Sequence, residues 1–265
     1  MTVPTLRRGA ARSRAILPFV ALLIALPLVV AAGCGGSSSS GGGQRELTVF
    51  AAASLTDAFT RLGDQFTAAH PEVKVTFNFA GSSDLVAQLQ QGAPADALAT
   101  ADSTNMDKVA GQTGAPTDFA GNKLMIAVEP GNPKHITGLA DLAAKDLKVV
   151  LAAPEVPAGK YAQEALAKAG VTVTPVSLEV SVKGVVTKVS LGEADAGIVY
   201  VTDVEAAKGT VQGVKIPDAQ NVLATYPIAT LKDSAHPDDA QAFVDLVLSA
   251  EGQKVLADDG FLPAP

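Results

Sequence analysis

Residues 47–59 read LTVFAAASLTDAF, and this stretch decides the fold class. Its first five residues, Leu47–Ala51, form an apolar run that predicts a buried strand. From Leu55 to Ala69, apolar residues recur at helical spacing, which predicts an amphipathic helix that ends at Pro71. A strand that leads directly into a helix is the building unit of a parallel sheet covered by helices.

The same alternation continues to the C-terminus. Beyond the first pair, the sequence predicts strands at 73–79, 96–100, 124–128, 149–152, 178–180, 196–200 and 226–231. It predicts helices at 85–91, 160–168, 182–191, 204–208, 237–249 and 251–258. Two such series indicate an α/β protein with two lobes, each a mainly parallel sheet flanked by helices. Because open α/β sheets bind ligands at the carboxyl ends of their strands, we expect the ligand in the cleft between the lobes.

The N-terminal segment has the layout of an export signal. Four arginines and no acidic residue lie at its start, followed by an uncharged apolar run from Ala15 to Ala32 that contains two prolines. The run ends in small residues, as secretory signals do. We therefore predict that residues 1–33 are a lipoprotein signal peptide, with a single membrane-spanning anchor as the alternative.

Cys34 is the only cysteine, so the fold has no internal disulfide. Its position after small residues resembles a bacterial lipobox, which implies cleavage before Cys34 and a lipid on its sulfur. A free thiol in a processed leader is the alternative. The segment GGSSSSGGG (35–43) is typical of a flexible linker. Residues 34–44 are thus predicted to tether the folded part to the extracytoplasmic face of the cell membrane.

The charge of the exported part excludes one class of partner. The whole chain has a net charge of −7, and the four arginines of the signal peptide contribute to it. Residues 34–265 hold 16 Lys and Arg against 27 Asp and Glu, a net charge of −11. So acidic a protein is a poor nucleic-acid binder, and we expect no such partner. An anion would have to be held by local donors.

Such donors are predicted at four strand-to-helix junctions. Small or hydroxyl residues lie at each helix start, in the segments 51–57, 80–84, 154–159 and 179–183. A helix start carries unpaired N–H groups and a partial positive charge, so it can bind an anion without Lys or Arg. Ordinary N-capping explains any single junction equally well. Several junctions that converge on one cleft could together surround an oxyanion.

At these junctions the sequence resembles the periplasmic molybdate-binding proteins of bacterial ABC importers. The resemblance runs from Leu47 to about Phe261 and rests on LTVFAAASLTDAF (47–59), FAGSSDLVAQLQQGAPAD (79–96), VPAGKYAQEAL (156–166) and GEADAGIVYVTD (192–203). It implies the type II periplasmic-binding-protein fold, in which two crossover strands join two lobes. Lobe one would comprise residues 45–124 and 225–265, and lobe two residues 125–224.

The same resemblance implies a ligand and the residues that hold it. The family binds a tetrahedral oxyanion through neutral donors, with no direct protein ligand to the metal. Carried over by motif, the donors would be the hydroxyl and N–H of Ser54 and Ser82, the N–H of Ala158 and Val182, and the phenol of Tyr200. We therefore expect a monomeric, non-enzymatic protein that carries molybdate or tungstate to the permease subunits of an ABC transporter and needs no other cofactor.

Three alternatives stay open from the sequence. Sulfate also has only acceptor oxygens, so only the size of the cavity could exclude it. An envelope enzyme on the same scaffold is a second alternative, although the sequence has no Ser-His-Asp order, Walker loop or Cys/His cluster. Asp84 and Asp96 are candidates for additional carboxylate ligands to the metal, and we interpret Asp96 as structural.

Overall fold

The computed structural model describes residues 44–265. The predicted signal peptide, Cys34 and all of the predicted tether except Gln44 lie outside the described residues. Within the described part, no helix combines the length and the apolar character needed to cross a membrane.

Strands and helices alternate along this part of the chain as the sequence predicts. The strands are β1 (Arg45–Ala52), β2 (Val73–Ala80), β3 (Ala97–Ala99), β4 (Thr117–Val128), β5 (Val149–Ala152), β6 (Ser177–Glu179), β7 (Ala196–Tyr200), β8 (Gln212–Lys215) and β9 (Leu223–Thr230). The helices are α1 (Thr56–Ala69), α2 (Ser82–Gln90), α3 (Ser103–Asp107), α4 (Pro157–Ala169), α5 (Val182–Ser190), α6 (Val201–Ala206), α7 (Pro237–Leu248) and α8 (Ala250–Asp258). Two 3₁₀ turns, Ala53–Leu55 and Leu139–Ala143, complete the secondary structure.

The strands form one continuous sheet in the order β2-β1-β3-β9-β4-β7-β5-β6, with β8 paired to β4. At one end β1 runs parallel to β2 and β3, and at the other β5 runs parallel to β6 and β7. All pairings of β4 and β9 are antiparallel. The two parallel groups are the cores of two lobes, and the antiparallel strands join them.

Strand β4 passes from one lobe to the other. Its residues up to Lys123 pair with β9, and from Leu124 onward they pair with β7. This change of partner lies beside the predicted boundary between residues 124 and 125. The sequence predicts lobe one at 45–124 and 225–265 and lobe two at 125–224. The boundaries themselves stay a prediction.

The first lobe has an aromatic core in which α1 packs against β4 and α7. Phe59 of α1 is fully buried and its ring lies 5.8 Å from the rings of both Phe119 and Phe243. Burying large aromatic side chains is among the strongest contributions to a core. The residues between β1 and α1 are thus held rigidly at the end of the sheet, where they contribute to the site described below.

Several element boundaries differ from the sequence prediction for identifiable reasons. Helices α2 and α4 begin at Ser82 and Pro157, each three residues before the predicted start, because their first turns consist of small residues without an apolar period. Strand β4 begins at Thr117, seven residues before its predicted start. Its added part contains polar residues, among them the fully buried Asn122. The short elements α3, β8 and Leu139–Ala143 were not predicted.

Candidate functional site

A small cavity lies where the strand-to-helix junctions of the two lobes meet. Its volume is about 10 Å³. All five residues predicted from the sequence line it, namely Ser54, Ser82, Ala158, Val182 and Tyr200. Pockets for drug-sized organic molecules occupy roughly 300–1,000 Å³. The cavity therefore suits a small inorganic ion better than a sugar, peptide or nucleotide.

Each lobe contributes to the lining from the carboxyl ends of its parallel strands. In the first lobe Ser54 lies in the 3₁₀ turn after β1, and Ser82 is the first residue of α2 after β2. In the second lobe Ala158 is in the first turn of α4, Val182 begins α5, and Tyr200 ends β7. The separate junctions therefore converge on one cleft, as the sequence predicts.

Neither cavity serine caps its helix. No side-chain hydrogen bond caps the turn at Ser54, α1 or α2. Among the four junctions, only Ser181 caps in the ordinary way, by accepting a hydrogen bond from the N–H of Gly184 at 3.3 Å, and Ser181 does not line the cavity. The capping explanation therefore fails for Ser54 and Ser82, whose hydroxyls remain available to a ligand.

The backbone adds four donors to the cavity. Among residues 44–265, the N–H groups of Ser54, Ser82, Ala158 and Val182 have no protein acceptor. This is expected at helix starts, where the first N–H groups have no partner within the helix. Because the partial positive charge of a helix start is concentrated on these groups, they favour a negative ligand.

Tyr200 supplies a hydroxyl that the protein leaves unpaired. Its side chain is 1% exposed, and within the described residues its Oη has no hydrogen-bond partner. Burial raises the pKa of this phenol well above its usual value, as do the nearby Tyr226, Tyr161 and Asp203. The group is therefore a neutral O–H at physiological pH. Since a buried polar group without a partner is costly, this hydroxyl is suited to donate to an acceptor atom of a ligand in the cavity.

Each of the two serine hydroxyls forms one hydrogen bond with a protein group. The Oγ of Ser82 accepts a hydrogen bond from the N–H of Ala101 at 3.0 Å. The Oγ of Ser54 lies 3.0 Å from the Oη of Tyr226. Tyr226 is fully buried, and its Oη is also 3.5 Å from the Nδ2 of Asn122. The serines are therefore fixed in place before a ligand arrives.

All described residues that line the cavity are uncharged, but charged pairs lie around it. The ammonium of Lys183, in the first turn of α5, is 3.2 Å from Asp57 of the first lobe and 3.7 Å from Asp203. The ammonium of Lys160, in α4, is 2.7 Å from the hydroxyl of Thr104 and 3.7 Å from Asp102, both in the first lobe. These two lysines form polar contacts between the lobes.

Asp203 is an unusual buried carboxylate beside the site. It is 1% exposed, and its Oδ1 has no hydrogen-bond partner in the described part of the chain. Its Oδ2 accepts a hydrogen bond from the N–H of Tyr200 at 3.1 Å. Burial raises its pKa to about 6, although Lys183 and the Tyr200 N–H oppose the change. Its bond to the Tyr200 backbone helps to fix the end of β7.

The two carboxylates considered as metal ligands do not line the cavity. Asp96 accepts hydrogen bonds from the N–H of Thr48 at 2.7 Å and the hydroxyl of Ser234 at 2.6 Å. It thus ties β1 and the segment after β9 to the residue before β3, which is a structural role. Asp84 lies in the first turn of α2.

Tyr226, which lies beside the Ser54 hydroxyl, and its neighbour Asn122 were not predicted as functional residues. Both are polar residues within strands whose other buried residues are mainly apolar. That contrast was the one available signal, because a buried polar group needs a partner. Which residue would be the partner of either side chain could not be predicted from the sequence.

Comparison with known proteins agrees with this geometry. Residues 47–262 match the family of bacterial extracellular solute-binding proteins. The molybdate-binding protein ModA of Mycobacterium tuberculosis is 46% identical over 220 residues, which cover 82% of this chain and 84% of that protein. The putative ABC transporter substrate-binding lipoprotein YvgL of Bacillus subtilis is 30% identical over 255 residues, covering 92% and 96%.

A solved structure extends the likeness to the fold. The substrate binding domain of a putative molybdenum ABC transporter from Clostridium difficile has a TM-score of 0.63 at 28% identity, covering 84% of this chain and 100% of that domain. The predicted two-lobed type II periplasmic-binding-protein fold is confirmed. Because the match takes in nearly all of the described residues, the chain belongs to the family of bacterial extracellular solute-binding proteins.

Proposed function

We propose that this protein captures molybdate, and also tungstate, outside the cytoplasm. One observation carries the proposal: among residues 44–265, four unpaired N–H groups and three neutral hydroxyls lie around a small cavity whose lining residues are all uncharged. Molybdate is a dianion with only acceptor oxygens at neutral pH, so a shell made of donors satisfies it. The 46% identity to a molybdate-binding protein supports the same ligand.

The donor shell explains how an acidic protein holds a dianion. Neutral donors at helix starts stabilise an anion by short hydrogen bonds and by the helix dipoles, so no counter-charge is needed. Hydrogenphosphate carries a proton and requires an acceptor. Leaving that proton unmatched costs about 1–3 kcal/mol. The cavity therefore disfavours phosphate, while sulfate is discriminated only by its smaller size.

We further propose that the bound form delivers its ligand to the permease of an ABC transporter and catalyses no reaction. The cavity is built from both lobes, so a bound anion links them and favours the closed arrangement that a permease could recognise. The YvgL match, which covers 92% of this chain and whose name includes lipoprotein, supports lipid attachment at Cys34. A lipid there would hold the protein, as a monomer, at the outer face of the cell membrane.

Titration calorimetry tests which oxyanion the protein binds. The chain from Gly42 onward, which forms one compact unit, would be titrated with molybdate, tungstate, sulfate and phosphate. We expect tight, similar binding of molybdate and tungstate, weaker binding of sulfate and no measurable binding of phosphate. Sulfate binding as tight as molybdate binding would contradict the specificity, and turnover of an anionic substrate would favour an envelope enzyme.

A further inference from the structure

The hydrogen-bond directions behind the two serines follow from their partners. Ser82 accepts from the N–H of Ala101, and a backbone N–H can only donate. The proton of Ser82 is therefore free to point into the cavity. Ser54 faces a tyrosine hydroxyl, which can donate or accept, so the 3.0 Å distance alone does not fix the direction.

Asn122 fixes the direction at Ser54. The Oδ1 of Asn122 accepts a hydrogen bond from the N–H of Lys123 at 2.9 Å, so its amide cannot be turned around. Its Nδ2 then faces the hydroxyl oxygen of Thr202 at 2.8 Å and the Oη of Tyr226 at 3.5 Å. An amide nitrogen has two protons and only donates. Tyr226 therefore accepts from Asn122. Among the described residues, Ser54 is the only other group within hydrogen-bond distance of the Tyr226 oxygen, so the proton of Tyr226 goes to Ser54.

We propose that Tyr226 is a specificity-determining residue, which commits the Ser54 hydroxyl to donating into the cavity. The inference rests on the proposed oxyanion-binding function and assigns a role to a residue that does not line the cavity. The chain of bonds runs from the amide of Asn122 to the oxygen of Tyr226, and from the proton of Tyr226 to the oxygen of Ser54. All three residues are buried, at 0%, 0% and 6% exposure, so water does not compete with these bonds.

The chemical consequence is discrimination between bare and protonated oxyanions. To accept a proton from hydrogenphosphate, Ser54 would have to turn its own proton away from the ligand. The direction away from the ligand is the one toward Tyr226, whose own proton already points at the Ser54 oxygen. In the described structure Ser54 has no other side-chain partner to which it could donate. Ser82 is restricted in the same way by Ala101. Both serines thus favour a ligand whose oxygens all accept.

A double-mutant cycle tests this role. Tyr226→Phe removes the hydroxyl and keeps the ring, which packs edge-on against Phe261 at 5.5 Å. Calorimetry with molybdate and with phosphate would compare the wild type, Tyr226→Phe, Ser54→Ala and the double variant, all in the chain from Gly42. Tyr161→Phe is the matched control, because Tyr161 is also buried and carries a phenol that has no bond to Ser54.

We expect Tyr226→Phe to weaken molybdate binding about three- to ten-fold, the value of one ordinary hydrogen bond. The ratio of molybdate affinity to phosphate affinity should also be lower in Tyr226→Phe than in the wild type. In the Ser54→Ala background the same change should have less than about a two-fold effect, since the two residues act as a unit. Tyr161→Phe should leave both ligands unaffected.

The outcomes separate this inference from the function on which it rests. An equal loss of affinity from Tyr226→Phe with and without Ser54, or an unchanged molybdate-to-phosphate ratio, would mean that Tyr226 acts through packing alone, and would overturn the inference. Should the wild type bind sulfate in place of molybdate, the same cycle applies with sulfate. A wild type that binds no oxyanion would overturn the proposed function and the inference together.

Discussion

The carbonyl oxygen of Val180, in the second lobe, lies directly against Gly81 in the first, at the edge of the cavity. A Cβ built on Gly81 would overlap that oxygen, and it would also lie 3.7 Å from the side chain of Val156. Gly81 has φ −59° and ψ 140°, a conformation open to any residue. The glycine is therefore required by the close approach of the two lobes, which places the segment before α5 within reach of the ligand.

Gly81→Ala should weaken ligand binding by preventing this approach. Forcing a methyl group into a well-packed contact costs about 1–3 kcal/mol, and here the cost falls on the closed arrangement. The unfolding free energy of the ligand-free protein should fall by less than about 1 kcal/mol, the effect of a poorer helix cap at α2. Calorimetry with molybdate and thermal unfolding measure the two quantities. Gly111→Ala is the control, because a Cβ there meets nothing within 4 Å. Equal effects of the two variants would exclude a role for the Gly81–Val180 contact.

Tyr200→Phe separates binding from stability. The phenol oxygen has no partner among the described residues, so its removal takes no hydrogen bond from the ligand-free protein. We expect an unfolding free energy that is unchanged or higher, together with a loss of about 1.5–3 kcal/mol in molybdate affinity, as for a hydrogen bond to a charged group. Denaturant unfolding and calorimetry on the same samples give both values. A less stable variant with unchanged affinity would show that the hydroxyl has a structural role instead.

Ser54→Ala and Ser82→Ala should each cost about 1.5–3 kcal/mol of molybdate affinity, because each removes a donor to a charged ligand. The chain contains a close control in Ser83, whose hydroxyl is buried and has no hydrogen-bond partner within residues 44–265 but does not line the cavity. Ser83→Ala should bind molybdate like the wild type. Isothermal calorimetry at one ionic strength compares the three variants. A serine whose loss leaves the affinity unchanged does not belong to the site.

The lining of the cavity was predictable from the sequence because it depends on local features. Each of the five predicted residues lies beside the end of a strand, and parallel strands of a lobe bring those ends to the same edge of the sheet. The backbone N–H groups of Ala158 and Val182 are available whatever their side chains are, since they lie in the first turns of helices. Strand-helix alternation was therefore sufficient to place the junctions, and the resemblance to the molybdate-binding family identified the individual residues at them.

The residues that form hydrogen bonds to the lining side chains were not predictable, since they come from distant parts of the chain. Tyr226 lies 172 positions from Ser54, and no local pattern connects them. Asn122 lies in the part of β4 that the sequence analysis assigned to no strand, because its polar residues interrupt the apolar run. The burial of Asp203 likewise depends on how α6 packs beside α5. Contacts of this kind require the register of strands and the docking of helices, which a single sequence does not contain.

Asp203 should give the protein an unusual dependence of stability on pH. Burial raises its pKa from 3.8 to about 6, so between these values the folded protein holds a proton that the unfolded chain releases. Its contribution to stability is therefore greatest below about pH 4 and is lost as the pH rises through 6. Asp203→Asn has no such proton and keeps an oxygen that can accept from the N–H of Tyr200.

The measurement is denaturant unfolding of both proteins at pH 4, 5, 6 and 7. Other acidic groups affect both proteins alike, so the difference in unfolding free energy, wild type minus Asp203→Asn, reports on this carboxyl. It should rise as the pH falls from 7 to 4, with most of the change between about pH 6 and 4. If the difference instead decreased on acidification, Lys183 at 3.7 Å would outweigh burial and keep Asp203 ionised. A difference independent of pH would mean that the carboxyl titrates alike in both states.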